Sequence, residues 1–122
     1  KLLVTGGHGF IGSNFIYYAK KHLSARIVNY DKLTYAGNMM NLAGISNYDR
    51  NYTFVKGDIA DREAVFNAID EHRPEWIVNF AAESHVDRSI KDSSPFLRTN
   101  IAGTTVLLEA CRRFGTKLLQ VS

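Results

Sequence analysis

The sequence of 122 residues is poor in the features that staple, anchor or unfold a chain. It holds a single cysteine, Cys111. No intramolecular disulfide and no paired-cysteine metal site can therefore form, and a reducing, cytoplasmic setting fits best. Cys111 falls in the apolar pattern of a helix, so it reads as a buried structural thiol rather than a nucleophile. Two prolines and no low-complexity tract exclude a linker-like, collagen-like or disordered chain. No apolar run approaches the roughly 18 residues that would span a membrane, and Lys1 is followed at once by a strand pattern instead of a signal peptide. The net charge of +3 is not gathered into a Lys/Arg stripe, which argues against nucleic acid as a partner.

What is present is an ordinary globular composition, 45% hydrophobic and 22% charged, enough for one domain spanning 1–122. Strand-like runs alternate with helical periods. LLVT at 2–5, RIVNYD at 26–31, YTFVKGD at 52–58, WIVNFAA at 76–82 and TKLLQVS at 116–122 read as strands. The first helix is expected to bury a stripe of Ile11, Phe15 and Ala19, with Leu23 close behind. Asp61 caps a second helix that Pro74 closes. Ser94 and Pro95 start a third, marked by Leu97, Ile101, Leu108 and Cys111 or Arg112 and ended by Gly115. Residues 32–51 form a long loop with a short helical stretch near Met39 to Ala43. This alternation predicts a doubly wound α/β fold, a parallel sheet with helices on both faces, for which the Rossmann-type strand order 3-2-1-4-5 is the expected one. The last strand, with Leu118, Leu119 and Val121, has no following helix to cover one side, so the chain reads as the front portion of a longer protein.

VTGGHGFIG at 4–12 carries glycines in two registers, GxGxxG through Gly7 and GxxGxxG through Gly6, Gly9 and Gly12. Either lies between a strand and a helix, where the backbone can approach a pyrophosphate at the helix N-terminus. A P-loop is excluded, because Gly12 is followed by Ser13 rather than lysine. Asp31 ends the second strand 19 residues after Gly12, the place for a carboxylate on an adenosine ribose, and an acid there favours NAD over NADP despite neighbouring Lys32. Asp58 follows the third strand within reach of an adenine amino group, with Ile59 beside the base. Phe80, Ala81 and Ala82 leave room at the end of the fourth strand.

TGGHGFIGSNF, YDKLTYAGNMMNL, GDIAD, NFAAESHVDRSI and TNIAGTTVLLEA occur in this order, and with them the chain resembles the extended short-chain dehydrogenase/reductase superfamily. DKLTYAGN at 31–38 and AAESHVDRSI at 81–90 make it most similar to the dTDP-glucose 4,6-dehydratase family. The resemblance implies a tightly held NAD, recycled in each turnover, and dTDP-glucose as substrate: hydride leaves C4, water is lost from C5 and C6, and hydride returns to C6. It implies cofactor contacts from Gly6, Gly9, Phe10, Ile11 and Gly12 at the pyrophosphate, and from Asp31, Lys32, Leu33 and Thr34 at the ribose. Asp58 and Ile59 serve the adenine, Phe80, Ala81, Ala82, Glu83 and Ser84 line the cofactor, and Thr99 lies behind it. Ser84 and His85 are implied at the sugar, with Asp87 and Arg88 just beyond.

His8, His22 and His72 read as surface or loop residues. The family's catalytic Asp, Glu and YxxxK helix have no counterpart within 1–122, and no metal site is expected. Tyr17 and Lys21 spell YxxxK on the wrong helix. A homodimer, formed partly through the helix containing 95–113, is also implied by the resemblance alone. Other nucleotide-sugar dehydratases, epimerases or decarboxylases, and a non-catalytic NAD-binding protein, are the alternatives.

Overall fold

In a computed structural model, residues 1–33, 38–45, 48–82 and 93–121 are described. Strands β1 (Leu2–Thr5), β2 (Ile27–Asp31), β3 (Tyr52–Lys56), β4 (Trp76–Asn79) and β5 (Lys117–Gln120) form one sheet in the order β3-β2-β1-β4-β5. Every pairing is parallel, with Leu3 opposite both Val28 and Ile77. Helix α1 (Phe10–His22) links β1 to β2, a 3-10 turn (Met39–Leu42) precedes β3, and α2 (Arg62–His72) leads to β4. The last helical stretch is composite: α3 (Ser94–Leu97), a π-helical segment (Arg98–Gly103), then α4 (Thr104–Phe114).

The pleat sends successive residues to opposite faces, which divides the core in two. Leu3, Val28, Tyr30 and Ile77 meet Val65 and Ile69 of α2 and Val106, Leu107 and Ala110 of α4 on one face. Val4 and Ile27 meet Ile16 and Ala19 of α1, with Leu42, on the other. Helices therefore cover both faces, as the alternation predicts. Asp61 accepts from the Ala64 N–H at 3.2 Å and caps α2, which stops at Arg73 in the left-handed region (φ 49°) just before Pro74. Gly115, at φ 70°, ends α4 in the same way.

Two helical stripes differ from expectation. In α1 the buried residues are Gly12, Ser13, Ile16 and Ala19, with Phe15 packed alongside, while Ile11 and Leu23 are exposed. Tight seating of the first turn against the glycine loop points Gly12, rather than Ile11, inward. In the last helix Leu97, Ile101 and Leu108 are 49%, 60% and 55% exposed, and Thr99, Gly103, Val106, Leu107 and Ala110 face the sheet. The π segment widens the turn at Arg98–Gly103 and so changes which residues of this stretch are carried toward the sheet, leaving the predicted stripe outward. Ser94 is not the cap. Ser93 occupies that position without a side-chain cap bond, and Pro95 stands in the first turn. Strands β3 and β4 also stop short of the 58 and 82 expected. Cys111 is half-buried against the core, and burial raises its thiol pKa, consistent with a structural role.

A buried polar knot joins the centre of the sheet to its β5 edge. Thr5 Oγ1 donates to Asn79 Oδ1, which also accepts from the Ala81 N–H at 3.1 Å, while Asn79 Nδ2 donates to Gln120 Oε1 at 2.8 Å. Asn79→Ala leaves the Thr5 hydroxyl and the Ala81 N–H without this partner. It is expected to destabilise the fold by about 2–3 kcal/mol, read as a lower urea midpoint at unchanged slope. An unchanged midpoint would show that the knot adds nothing.

Candidate functional site

The strand order reverses between β1 and β4, and the crevice above their carboxyl ends is where open α/β sheets collect ligands. The glycine turn 6–9 sits there. Gly6 adopts φ 71°, and a Cβ on it would lie 2.6 Å from the Ala81 nitrogen. The turn is thus pressed against the residues following β4. A Cβ on Gly12 would meet the Gly6 carbonyl oxygen at 2.2 Å, and one on Gly7 would meet Asn29 Oδ1 at 2.1 Å. Gly7 is therefore a packing requirement in its own right as well as the source of the second register.

Gly9 is different. It has an ordinary φ of −73°, and its Cβ would touch only the Gly6 oxygen, at 3.4 Å. Internal packing does not demand a glycine there; an outside group lying close to the backbone would. Gly9 is also the N-cap of α1, whose start has neither a side-chain cap bond nor an acidic residue in its first turn. Such an end favours an anion. Phe10 and Ile11 lie exposed at this mouth, and Ser13 Oγ turns back to the Phe10 carbonyl at 3.0 Å.

Asp31 is buried at 7% exposure. One carboxylate oxygen accepts from the His8 N–H at 2.8 Å and the other from the Leu33 N–H at 2.7 Å. Leu33 is held at φ 59°, a conformation costly for a branched side chain. Asp31 thus fixes the glycine turn and the start of the following loop together. The remaining lone pairs of its carboxylate can still accept ribose hydroxyls.

His8 is not a surface residue: it is 2% exposed. Its ring stands edge-on to Phe54 at 4.9 Å, and Nδ1 lies 3.2 Å from Asn29 Nδ2, which also donates to Tyr52 Oη at 3.0 Å. Its carbonyl accepts from the Asn38 N–H and from Asn41 Nδ2, tying the 3-10 turn over the glycines. Burial lowers the imidazole pKa below its ordinary 6.5, and the nearby Asp31 carboxylate opposes this only in part. The folded ring therefore takes its proton at lower pH than the unfolded one, which protonates near its ordinary pH 6.5. Stability from this group is complete above that pH and declines as pH falls. In urea titrations, the stability gap between the native protein and His8→Gln should narrow from pH 7.5 to 5.5, by at most about 1.4 kcal/mol per pH unit. A constant gap would refute a neutral, buried His8.

Asp58 lies just beyond the end of β3, on the β2–β3 side of the switch point. Its Oδ1 accepts from the Ala60 N–H at 2.9 Å, and Oδ2 takes Arg98 Nε at 3.1 Å and Lys32 Nζ at 3.3 Å. Burial would raise its pKa, but the Ala60 N–H, Arg98 and Lys32 together hold the carboxyl below its usual range. Tyr30 donates to the Asp58 carbonyl at 2.9 Å and leaves no room for a Cβ on Gly57. Burial first, then the charges of Asp61 and Asp58, raise the Tyr30 pKa and keep that hydroxyl protonated. Ile59 is buried against Gly103, so its side chain belongs to the core and its backbone is what remains for a ligand.

Phe80 is half-buried against Phe15, Ala81 is half-buried, Ala82 is exposed and Thr99 is buried. Thr34, Glu83, Ser84 and His85, with Asp87 and Arg88, lie outside the described residues. Sequence reasoning missed His8, Asn29, Tyr30 and Arg98. Only an Asn alternating with apolar residues inside a strand pattern, as at Asn29, offered a signal for any of them.

Parallel strands in this order, with a glycine turn at the switch point and an acid closing β2, define a Rossmann-type domain of the kind found in nucleotide-sugar dehydratases and epimerases. The model of the GDP-mannose 4,6-dehydratase family matches residues 3–122, and the chain belongs to that family. It is 51% identical over 116 residues to the dTDP-glucose 4,6-dehydratase of Xanthomonas campestris pv. campestris (strain B100), covering 95% of this chain and 32% of that protein. The chain thus spans about a third of the length of the relatives it matches.

The crystal structure of dTDP-glucose 4,6-dehydratase from Bacillus anthracis str. Ames in complex with NAD superposes with a TM-score of 0.85 at 44% identity, over 99% of this chain and 36% of that one. UDP-glucose 4-epimerase from Thermotoga maritima, with UDP-glucose, gives 0.86 at 32% identity, over 98% and 36%. The resemblance drawn from the sequence segments is borne out. Backbone likeness alone does not separate dehydratase from epimerase.

Proposed function

We propose that this chain is the NAD-binding portion of a dTDP-glucose 4,6-dehydratase, an enzyme that converts dTDP-glucose to its 4-keto-6-deoxy derivative. The observation that carries this reading is the identity gap, higher to dehydratases than to an epimerase of equal structural likeness. The residues present fit the cofactor. The space left open at Gly9, over an uncapped helix start, accepts a pyrophosphate, with Gly6 and Gly12 bringing the backbone close and Phe10 and Ile11 flanking it.

Asp31 accepts the ribose hydroxyls beside Leu33, with Thr34 assigned there by the sequence resemblance alone, and Lys32 is paired with Asp58, which leaves Asp31 to repel a 2′-phosphate. Asp58 and the Ile59 backbone face adenine, Phe80, Ala81 and Ala82 line the rest, and Thr99 backs it. The sequence resemblance alone assigns Glu83 and Ser84 to the cofactor and Ser84 and His85 to the sugar. When bound, NAD supplies a hydride acceptor that is restored within the same turnover. The chain's own part is to hold and orient it; the acid and base groups of the reaction belong outside residues 1–122, so this segment alone is expected to be inactive.

The outward apolar stripe Leu97, Ile101 and Leu108 supports a homodimer through this helix. Ile101→Glu is expected to shift the full-length protein toward monomer in sedimentation velocity; an unchanged dimer would reject this face. Among the described residues no helix is long and apolar enough to cross a membrane, and the lone Cys111 fits the reducing cytoplasm. The decisive experiment gives full-length protein dTDP-glucose and, separately, UDP-glucose, and follows product by mass spectrometry. Loss of water from the dTDP sugar is expected. Dehydration of the UDP sugar alone would move the assignment to a related dehydratase, and epimerised or decarboxylated product would replace the reading.

A further inference from the structure

Arg98 stands apart from the residues that resemblance assigns to the cofactor, yet it reaches into the site. It opens the π-helical segment, where a widened turn re-aims side chains and often marks function. Its Nε lies 3.1 Å from Asp58 Oδ2. Five residues on, a Cβ on Gly103 would come within 2.5 Å of Ile59 Cδ1. The π segment therefore grips the dipeptide Asp58–Ile59 at two points, one by charge and one by packing.

A carboxylate offers about four acceptor positions. Among the described residues, three of those on Asp58 are filled: Ala60 N–H on Oδ1, with Lys32 and Arg98 on Oδ2. With respect to the described residues one acceptor remains, on Oδ1, and it can serve only a donor.

We infer that Arg98 is a positioning residue that locks the Asp58 carboxylate so that its one open acceptor selects a base bearing an exocyclic amino group, adenine, over one bearing a carbonyl there, hypoxanthine. This rests on the reading of the crevice as an NAD site. Turning a carbonyl oxygen toward the locked carboxylate sets acceptor against acceptor in a partly desolvated place, and a site built for a hydrogen bond discriminates against the analogue that cannot make it. Without Arg98 the carboxylate can rotate away and leave the edge to water. Lys32 cannot replace the lock. Its ammonium is a point charge on a flexible stem, whereas the guanidinium is planar and directional.

The test measures binding of NAD and of nicotinamide hypoxanthine dinucleotide to full-length protein freed of bound nucleotide, for the native protein, Arg98→Met and Arg98→Lys. The native protein should prefer NAD by about tenfold or more. Arg98→Met should cut that preference at least about fivefold, mainly by weakening NAD, and Arg98→Lys should fall between. Because the Arg98 side chain is half exposed, the thermal midpoint should hardly move; Arg98→Gln gives the same reading should Arg98→Met fail to fold. An unchanged preference in these variants, or no preference in the native protein, overturns the role of Arg98. Failure of the native protein to bind NAD at all overturns the cofactor reading instead.

Discussion

Gly9→Ala should lower NAD affinity at least tenfold, about 1.4 kcal/mol, while leaving stability within about 0.5 kcal/mol; Gly12→Ala should lose both. The two glycines are three residues apart, yet their surroundings differ in kind. An alanine methyl at position 9 meets only the Gly6 oxygen, at contact distance, so the fold accepts it, whereas a pyrophosphate lying against that Cα would not. A methyl at position 12 would sit 2.2 Å from that same oxygen and 3.0 Å from the Gly7 Cα.

Both obstacles are backbone, and Gly6 is itself wedged against Phe80 and Ala81, so the strain passes into the segment after β4. Overpacking of this kind costs about 1–3 kcal/mol. Urea unfolding and calorimetric titration with NAD separate the two effects. If Gly9→Ala binds NAD as tightly as the native protein, no ligand lies close to that Cα and the pyrophosphate site is misplaced.

Asp31→Asn should weaken NAD binding about tenfold or more, narrow the preference for NAD over NADP, and destabilise the fold by about 1–3 kcal/mol. Both carboxylate oxygens receive backbone N–H groups, from His8 and from Leu33. An amide in their place must turn its NH2 toward one of these donors. The His8 N–H is buried and cannot turn to water, and Leu33 loses the bond that holds its left-handed backbone. Removing the charge also removes the repulsion of a 2′-phosphate. Titrations with both dinucleotides and a denaturation curve test these effects together. A variant with native stability and native selectivity would show that Asp31 neither braces the turn nor reads the ribose.

The strand–helix alternation and the capping of α2 by Asp61 were legible because they depend on neighbours in the chain. The inward stripes were not. Ile11 and Ile101 have the apolar character of core residues, but the depth at which α1 meets the glycine turn and the widened turn at Arg98–Gly103 set which side faces the sheet. Neither is a local property. His8 shows the same limit: a histidine in a glycine loop reads as solvated until Asn29, Phe54 and Asp31 from two strands close around it.

By itself, the sequence determined the class of fold and the place of the glycine turn and of the acid that ends β2, since hydrophobic period and turn chemistry act over short range. Tertiary structure decided which glycines the packing demands and which it does not. It also decided that Asp31 holds the turn as well as facing the crevice, and that Arg98 reaches Asp58. The physical reason is distance along the chain: these contacts join residues 23 and 40 positions apart, and only the closed sheet brings them within hydrogen-bonding range.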